Sequence, residues 1–307
     1  MSFDQCAEAY VEAHRAGWKS DKHAGQWGAT LKTYATPVFG KIDVAAVGVG
    51  LVLKVLEPIW SSKNETAHRV RGRVESVLDW AKARGHRSGE NPARWRGHLD
   101  QLLPARGKVH KVEHHAALPY AELPAFMRDL RKRYGVAVLA LEFCILTATR
   151  TSETLNAAWS EIDGSVWTIP AERMKGGREH RIPLCDRALA IIKEMKAAKH
   201  GAFIFPGARR GRPLSNMAML TALRRMERGD LTTHGFRATF RTWAAERSNF
   251  QREVIEAALA HAIGDKTEAA YQRGDLFEKR RRLMMAWAAY CESKPAAKVS
   301  NVTALRS

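Results

Sequence analysis

The sequence is poor in several features, and each shortage excludes something. It has only four cysteines, Cys6, Cys144, Cys185 and Cys291, scattered with no C-x-x-C pair and no histidine at metal-ligand spacing. That pattern argues against a disulfide or zinc framework and reads as reduced packing thiols in a cytosolic protein. No apolar run is long enough for a bilayer. The longest, GVAVLALEFCILTA from Gly135, contains Glu142 and reads as a buried core helix. The first residues, MSFDQCAEAYVEAHRAGW, are amphipathic and dotted with acids, unlike a signal peptide. There is no internal repeat, no low-complexity tract, no G-x-x-x-x-G-K-[ST] loop for a nucleotide, and no acidic cluster suited to Mg²⁺. Negative charge is also scarce: 32 Asp plus Glu stand against 50 Lys plus Arg, a net charge of +18.

What is present is a globular chain of 307 residues, 45% of them hydrophobic, long enough for two domains with cores of their own. A cationic surplus of this size on a folded chain points to a polyanionic partner, because Lys and Arg displace the counterions condensed on nucleic acid. Charge alone says nothing of chemistry; a basic ribosomal or chromatin-like binder would share it.

The first third is helical in pattern. Residues 3–16 form an amphipathic segment, and VAAVGVGLVLKVLEPIW forms a second, which Pro58 is expected to break. From Asn64, a good N-cap, a long run places Val70, Val74, Val77, Leu78 and Ala81 on one stripe. His68, Arg69, Arg71, Arg73, Lys82 and Arg84 take the remaining faces, as a basic surface. Residues 106–117, rich in Arg, Lys and His and without a helical stripe, read as a linker between a helical domain over 1–105 and a second domain over 118–291. The second opens with a Pro-initiated helix in LPYAELPAFMRDLRKR. Only one region reads as β: Val166–Ile169 and His180–Leu184, with Gly176 and Gly177 supplying a turn. Helices are then expected at 186–199, 215–228, 236–247, 251–260 and 275–291, followed by a flexible tail over 292–307.

If the polyanion is a phosphodiester to be cut, the chemistry needs cations at the non-bridging oxygens, a nucleophile, and a proton donor for the leaving oxygen. Without a metal, arginine is the better clamp, since its planar fork donates two parallel bonds and stays charged. Four places supply candidates. Arg150 emerges at the end of the buried helix, with Glu153 three residues on. Lys175 sits at the tip of the hairpin. His234 and Arg237 lie three apart on one helix, beside Phe236, Phe240 and Trp243. His261 is followed ten residues later by Tyr271. Taken singly each has an ordinary explanation: a helix-end arginine, a solvated turn lysine, a helix-terminal histidine, a packing tyrosine.

Taken together, ILTATRTSE, RMKGGREHRIPL, THGFRATFRTWAAE, EAALAH and AAYQRGDLFEKRRRLMMAW resemble, in that order, the active-site signature of the tyrosine recombinases, the phage-integrase family, and within it the P4-like prophage and genomic-island branch. The resemblance covers residues 117–291 and continues upstream through NPARWRGHLDQLLP and FDQCAEAYVEAHRAGW. It implies a mainly α fold with a small β-sheet: a helical core-binding, SAM-like domain followed by a catalytic domain of the DNA breaking-rejoining enzyme fold. By that resemblance Arg150, His234 and Arg237 bind the scissile phosphate, His261 supports its oxygens, Lys175 protonates the departing 5′-oxygen, and Glu153 orients the arginines. Tyr271 is the nucleophile, giving a 3′-phosphotyrosyl intermediate that conserves bond energy without ATP, metal or other cofactor. Among the remaining tyrosines, Tyr10 and Tyr34 lie in the first domain, Tyr120 and Tyr134 on the first helix of the second, and Tyr290 packs beside Trp287 and Cys291. Arg241 has no counterpart in the H-x-x-R motif and reads as a surface or backbone-phosphate contact.

The implied activity is site-specific DNA integration or excision on double-stranded attachment sites, by a protein that is a monomer when free and a homotetramer on DNA. The 276–291 helix is a candidate for docking on a neighbouring protomer. DNA-bending accessory factors, a cytoplasmic location and association with the nucleoid follow from the same resemblance. A type IB topoisomerase shares the chemistry, and a DNA-binding regulator without catalysis shares the charge. Two features depart from the family: Ser152 stands where glycine is common, and the chain opens directly on the core-binding segment, where the P4-like branch usually has a further arm-binding domain.

Overall fold

In the computed structural model the described residues are 1–18, 21–105, 107, 116–197, 201–261 and 274–294. The chain divides into two compact units, residues 1–113 and 114–307. In the first, α1 (Phe3–His14), α2 (Asp21–Tyr34), α3 (Thr36–Phe39), α4 (Val49–Trp60) and α5 (Asn64–Ala83) enclose one apolar core. Helix α1 starts on a capping box, Ser2 Oγ accepting from the Gln5 amide while the Gln5 side chain takes the Ser2 amide. The predicted stripe on α5 is the buried one.

Three local expectations fail in this unit, each for a physical reason. Pro58 does not break α4, which runs on to Trp60. A proline so near the C-terminus forfeits little of the ladder, and burial of Val55, Leu56, Ile59 and Trp60 outweighs that loss. Asn64 does not cap α5. It is the first helical residue, and its Nδ2 donates to the Trp60 carbonyl at 3.0 Å, satisfying an orphan acceptor at the end of α4. Arg73 is not part of a basic surface: it is 6% exposed, donating to the Gln26 carbonyl and Thr30 hydroxyl, with its guanidinium over the Trp27 ring. Arg71 is also turned inward, to Glu75 at 2.7 Å and the Ala93 carbonyl at 2.8 Å.

The second unit is built on α7 (Val136–Thr147), buried on nearly every side, with α6 (Leu123–Arg131), α9 (Asp186–Ala197), α10 (Ala218–Arg225) and α13 (Phe277–Glu292) packed against it. Tyr120 lies on a 3-10 turn before α6 and Tyr134 beyond its end, so neither is on that helix. The sheet holds the two expected strands, β2 (Val166–Ile169) and β3 (His180–Pro183), antiparallel with Trp167 opposite Ile182 and Ile169 opposite His180. It also holds a two-residue strand, β1 (Ile162–Asp163), too short to leave a periodic signal. Helix α11 (Gly235–Arg247) is anchored as its aromatic face suggests. Phe236 meets Phe126 at 5.0 Å between centroids, and Phe240 and Trp243 meet Trp287 at 5.2 and 4.9 Å. Helix α13 therefore spends Leu283, Met284, Trp287, Ala288 and Cys291 on its own domain's core, and that face is not the one available to a neighbouring protomer. Tyr290 packs on Trp243 and donates to the Tyr120 carbonyl at 3.0 Å. All four cysteines are unpaired and buried. Among the described residues no helix is long and apolar enough to cross a membrane.

Candidate active site

Two helices end on the same device. Helix α7 closes at Ala148 with φ 50°, and α12 (Arg252–Ala258) closes at Ala260 with φ 48°, both left-handed. At the end of α12 the His261 amide donates to the Glu256 carbonyl at 3.0 Å and the Ala260 amide to the Ala257 carbonyl at 3.1 Å, a Schellman closure that fixes where His261 leaves the helix. Each helix end still presents unpaired carbonyls carrying the negative end of its dipole.

Arg237, one turn into α11, bridges those ends. Nη1 donates to the Ala148 carbonyl, and Nη2 to the Leu259 carbonyl at 2.6 Å. The residue is 5% exposed. Burial, then repulsion from Arg150, bring its pKa down to about 10, so the guanidinium stays charged at neutral pH. The helix dipoles and carbonyls hold a buried cation that, among the described residues, no carboxylate touches directly.

Arg150 is the cap residue just before α8 (Thr151–Leu155), and Glu153 is the third residue of that helix. A spacing of three lets a carboxylate reach back to the amide before the helix. Glu153 Oε2 accepts from the Arg150 amide at 2.8 Å and Oε1 from Arg150 Nη1 at 2.7 Å. Arg150 Nη2 reaches the Ala260 carbonyl at 3.3 Å. Glu153 is 3% exposed while Arg150 keeps 21% of its side chain in solvent. The carboxylate is the support and the guanidinium is the presented group.

His261 completes the cluster. Its Nε2 lies 3.2 Å from Arg237 Nη2, and its Nδ1 is hydrogen-bonded to Glu256, which Arg241 also holds at 2.8 Å. Arg150 with Glu153, and Arg237 with His261, drawn from three separate stretches, thus meet on the Leu259 and Ala260 carbonyls at the end of α12. His234 stands exposed at the start of α11, one turn before Arg237. Lys175 is exposed in the turn between β2 and β3, ahead of Gly177 at φ 65°. Among the described residues Lys175 makes no hydrogen bond or ion pair with the four. Tyr271 lies outside the described residues, but both flanks of its segment are fixed: His261 on one side, and on the other Asp275, gripped by Arg181 at 2.9 and 3.0 Å and by Arg280 at 2.9 Å.

Several supporting residues were given no role by the sequence. Arg173 donates to the Glu153 carbonyl at 2.7 Å and ion-pairs with Glu161, tying the turn before Lys175 to α8. His180, at the base of the same hairpin, is buried. Burial and the nearby Arg280 pull its pKa to about 4, and it bonds to the backbone of Ala258. Glu256 and Arg241 are supporting groups of the same kind. The surface expected of Arg241 is present, with half its side chain in solvent, yet its guanidinium is engaged by Glu256. Gly235 has a positional requirement the motif does not explain: a Cβ there would run into the Ala116 carbonyl.

Comparison with known proteins gives the family. The family profile described as "Phage integrase central domain" matches residues 3–98, and that described as "Phage integrase family" matches residues 118–275. "Prophage integrase IntZ" of Escherichia coli (strain K12) is 30% identical over 291 residues, covering 93% of this chain and 70% of that protein. The "Integrase" of Enterobacteria phage P4 is 27% identical, covering 88% of this chain and 64% of that one. In fold, the chain is similar to lambda integrase in the crystal structure of its tetramer bound to a Holliday junction, with a TM-score of 0.68 at 16% identity over 87% of this chain and 79% of that one. The basic, mainly helical chain with a three-stranded sheet therefore belongs to the phage integrase family, the tyrosine-type site-specific DNA recombinases.

Proposed function

We propose that the cluster of Arg150, Glu153, Arg237 and His261 is the scissile-phosphate site of this recombinase. One observation carries the reading: two arginines are brought close enough to repel, Arg150 braced by Glu153 and the nearly buried Arg237 held by helix-end carbonyls. A fold gains nothing from concentrating cations in this way unless an anion arrives between them.

In this reading the two guanidiniums and His261 take the non-bridging oxygens, and His234 joins them from the start of α11. Tyr271 Oη, its proton lost to solvent and its phenolate stabilised by the neighbouring cations, attacks phosphorus, the bond to the 5′-oxygen breaks, and Lys175 gives that oxygen its proton. The 3′-phosphotyrosyl bond keeps the energy of the phosphodiester. The 5′-hydroxyl of a second strand then attacks it, releasing the tyrosine and joining new partners. Exposure of Lys175 in a turn suits a donor that must close on DNA. The partners are double-stranded attachment sites. Strand exchange between two of them calls for four protomers, assembled on DNA from free monomers with DNA-bending factors assisting. Acting on cellular DNA, the protein works in the cytoplasm, at the nucleoid. We also read residues 1–105 as the core-type binding domain, 106–117 as the linker, 118–291 as the catalytic domain and 292–307 as the tail.

The test is a nicked suicide duplex bearing the attachment site, scored for a covalent adduct on a denaturing gel. Wild type forms the adduct and Tyr271→Phe does not; an adduct persisting in Tyr271→Phe overturns the assignment of the nucleophile. Lys175→Ala is slow on this duplex and recovers on one whose leaving oxygen is replaced by sulfur, since a thiolate departs without a proton. Equal defects on both remove Lys175 from the acid role. Joining of the cleaved strand to a second duplex separates recombination from relaxation alone.

A further inference from the structure

We propose that Glu256 is a positioning residue for His261, and that Arg241 holds Glu256 in place for that task. The inference rests on the reading of His261 as a phosphate-site residue and extends the site outward by two side chains to which the resemblance assigns no role.

The geometry runs in one line: Arg237 Nη2, His261 Nε2 at 3.2 Å, His261 Nδ1, the Glu256 carboxylate, and Arg241 Nε at 2.8 Å from its other oxygen. Burial pushes the Glu256 carboxyl up, but the bonds from His261 and Arg241 outweigh it and hold the pKa below the ordinary range, so the group is an anion at neutral pH. An ionised carboxylate can only accept, which places the ring proton on Nδ1 and aims Nε2 at the arginine cluster. The main chain agrees with the side chain, because the amide of His261 is bound by the Glu256 carbonyl at 3.0 Å. One residue therefore fixes both where His261 leaves α12 and how its ring turns.

With no phosphate present, Nε2 accepts from Arg237. When a phosphate binds, Nε2 takes a proton from solvent and donates it to a phosphoryl oxygen, while Nδ1–H remains on Glu256 and the carboxylate offsets the new positive charge. Arg237 Nη2 is then released to the phosphate as well. Arg241 explains why Glu256 stays: with one oxygen held by a half-exposed guanidinium, the carboxylate cannot swing into the phosphate site and compete for Arg237.

The experiment is single-turnover adduct formation on the suicide duplex at saturating protein, in a double-mutant cycle of Glu256→Ala and His261→Ala, with gel-shift affinity and thermal unfolding measured on each variant. Glu256→Ala slows cleavage about 10- to 100-fold, the range seen when a carboxylate that orients a functional histidine is lost, with DNA affinity unchanged. In the His261→Ala background the same substitution costs less than about 2-fold, because nothing remains to be positioned. Glu256→Gln, which keeps an acceptor for Nδ1–H without the charge, falls between wild type and Glu256→Ala and serves if the alanine variant folds poorly. Arg241→Ala gives a smaller loss that vanishes in the Glu256→Ala background. An equal loss in both His261 backgrounds, or full activity of Glu256→Ala, overturns the proposal. A wild type that forms no adduct, or a His261→Ala as fast as wild type, instead overturns the reading of the site on which it rests.

Discussion

Glu142 and Glu153 are both buried glutamates in the catalytic domain, both paired with arginine, and they do opposite things. Glu142 is 1% exposed and takes bonds from Arg131 Nε at 2.5 Å and from Arg187 at 2.9 and 2.6 Å, while Arg131 Nη2 pairs with a second carboxylate, Glu292, at 3.3 Å. Burial pushes its pKa up, but the two guanidiniums more than offset this and hold it below the usual carboxylate value. This closed group ties α6, α7 and α9 together. Glu153 takes one guanidinium nitrogen and one amide, leaving Arg150 with a nitrogen that only a long bond to the Ala260 carbonyl occupies. The difference teaches how to tell a structural ion pair from a functional one: the arginines of Glu142 turn to carboxylates, while Arg150, braced by one carboxylate, faces a second arginine.

The largest expected effect separates the two on stability. Glu142→Ala leaves two arginines facing an empty buried position and costs about 3–5 kcal/mol in denaturant unfolding of the catalytic domain, while cleavage per folded molecule is kept. Glu153→Ala, by contrast, lowers cleavage about 100-fold by releasing Arg150, with a stability loss of only about 1–2 kcal/mol. If Glu142→Ala were the one that abolished cleavage in folded protein, the distinction would collapse.

Acid titration of stability sharpens the comparison next. The folded-state pKa of His180, about 4, lies below the unfolded value near 6.5, so its contribution is whole above that value and is lost as pH falls towards 4, on the order of 3 kcal/mol in all. Glu142 is depressed, so its contribution is present above the ordinary carboxylate range and is lost only as pH falls through its lower folded value. His180→Phe should flatten the upper window and Glu142→Gln the lower; a single loss below pH 4 in the wild type would contradict the burial of His180 as a neutral ring.

The smallest effect concerns the turn beneath the open cluster. Ala260→Gly relieves a left-handed backbone and should raise stability by about 1 kcal/mol in thermal unfolding; a loss would mean that the alanine methyl packs more than its conformation costs.

Much of this molecule was legible before any coordinates. Apolar periodicity gave the helices that bury Val70, Val74 and Trp287, because a face that must leave water repeats at the helical period. The glycine pair between β2 and β3 marked a turn, because positive φ is open to glycine. Arg73 is not legible because its partners Gln26 and Thr30 lie more than forty residues away along the chain, and Pro58 and Asn64 because burial and the exact end of α4 decide them. Glu256, His180 and Arg173 went unnoticed because a buttress has no spacing of its own.

The sequence by itself determined the family, the charge that seeks DNA, and which side chains could carry the chemistry, since those follow from residue type and order along the chain. Only the tertiary structure decided which of them meet. It set Arg237 across the ends of α7 and α12, braced Arg150 on Glu153 to face it, and turned Glu256 onto His261. Those outcomes depend on orphan helix-end carbonyls and on burial, and both exist only once separate stretches of the chain have packed.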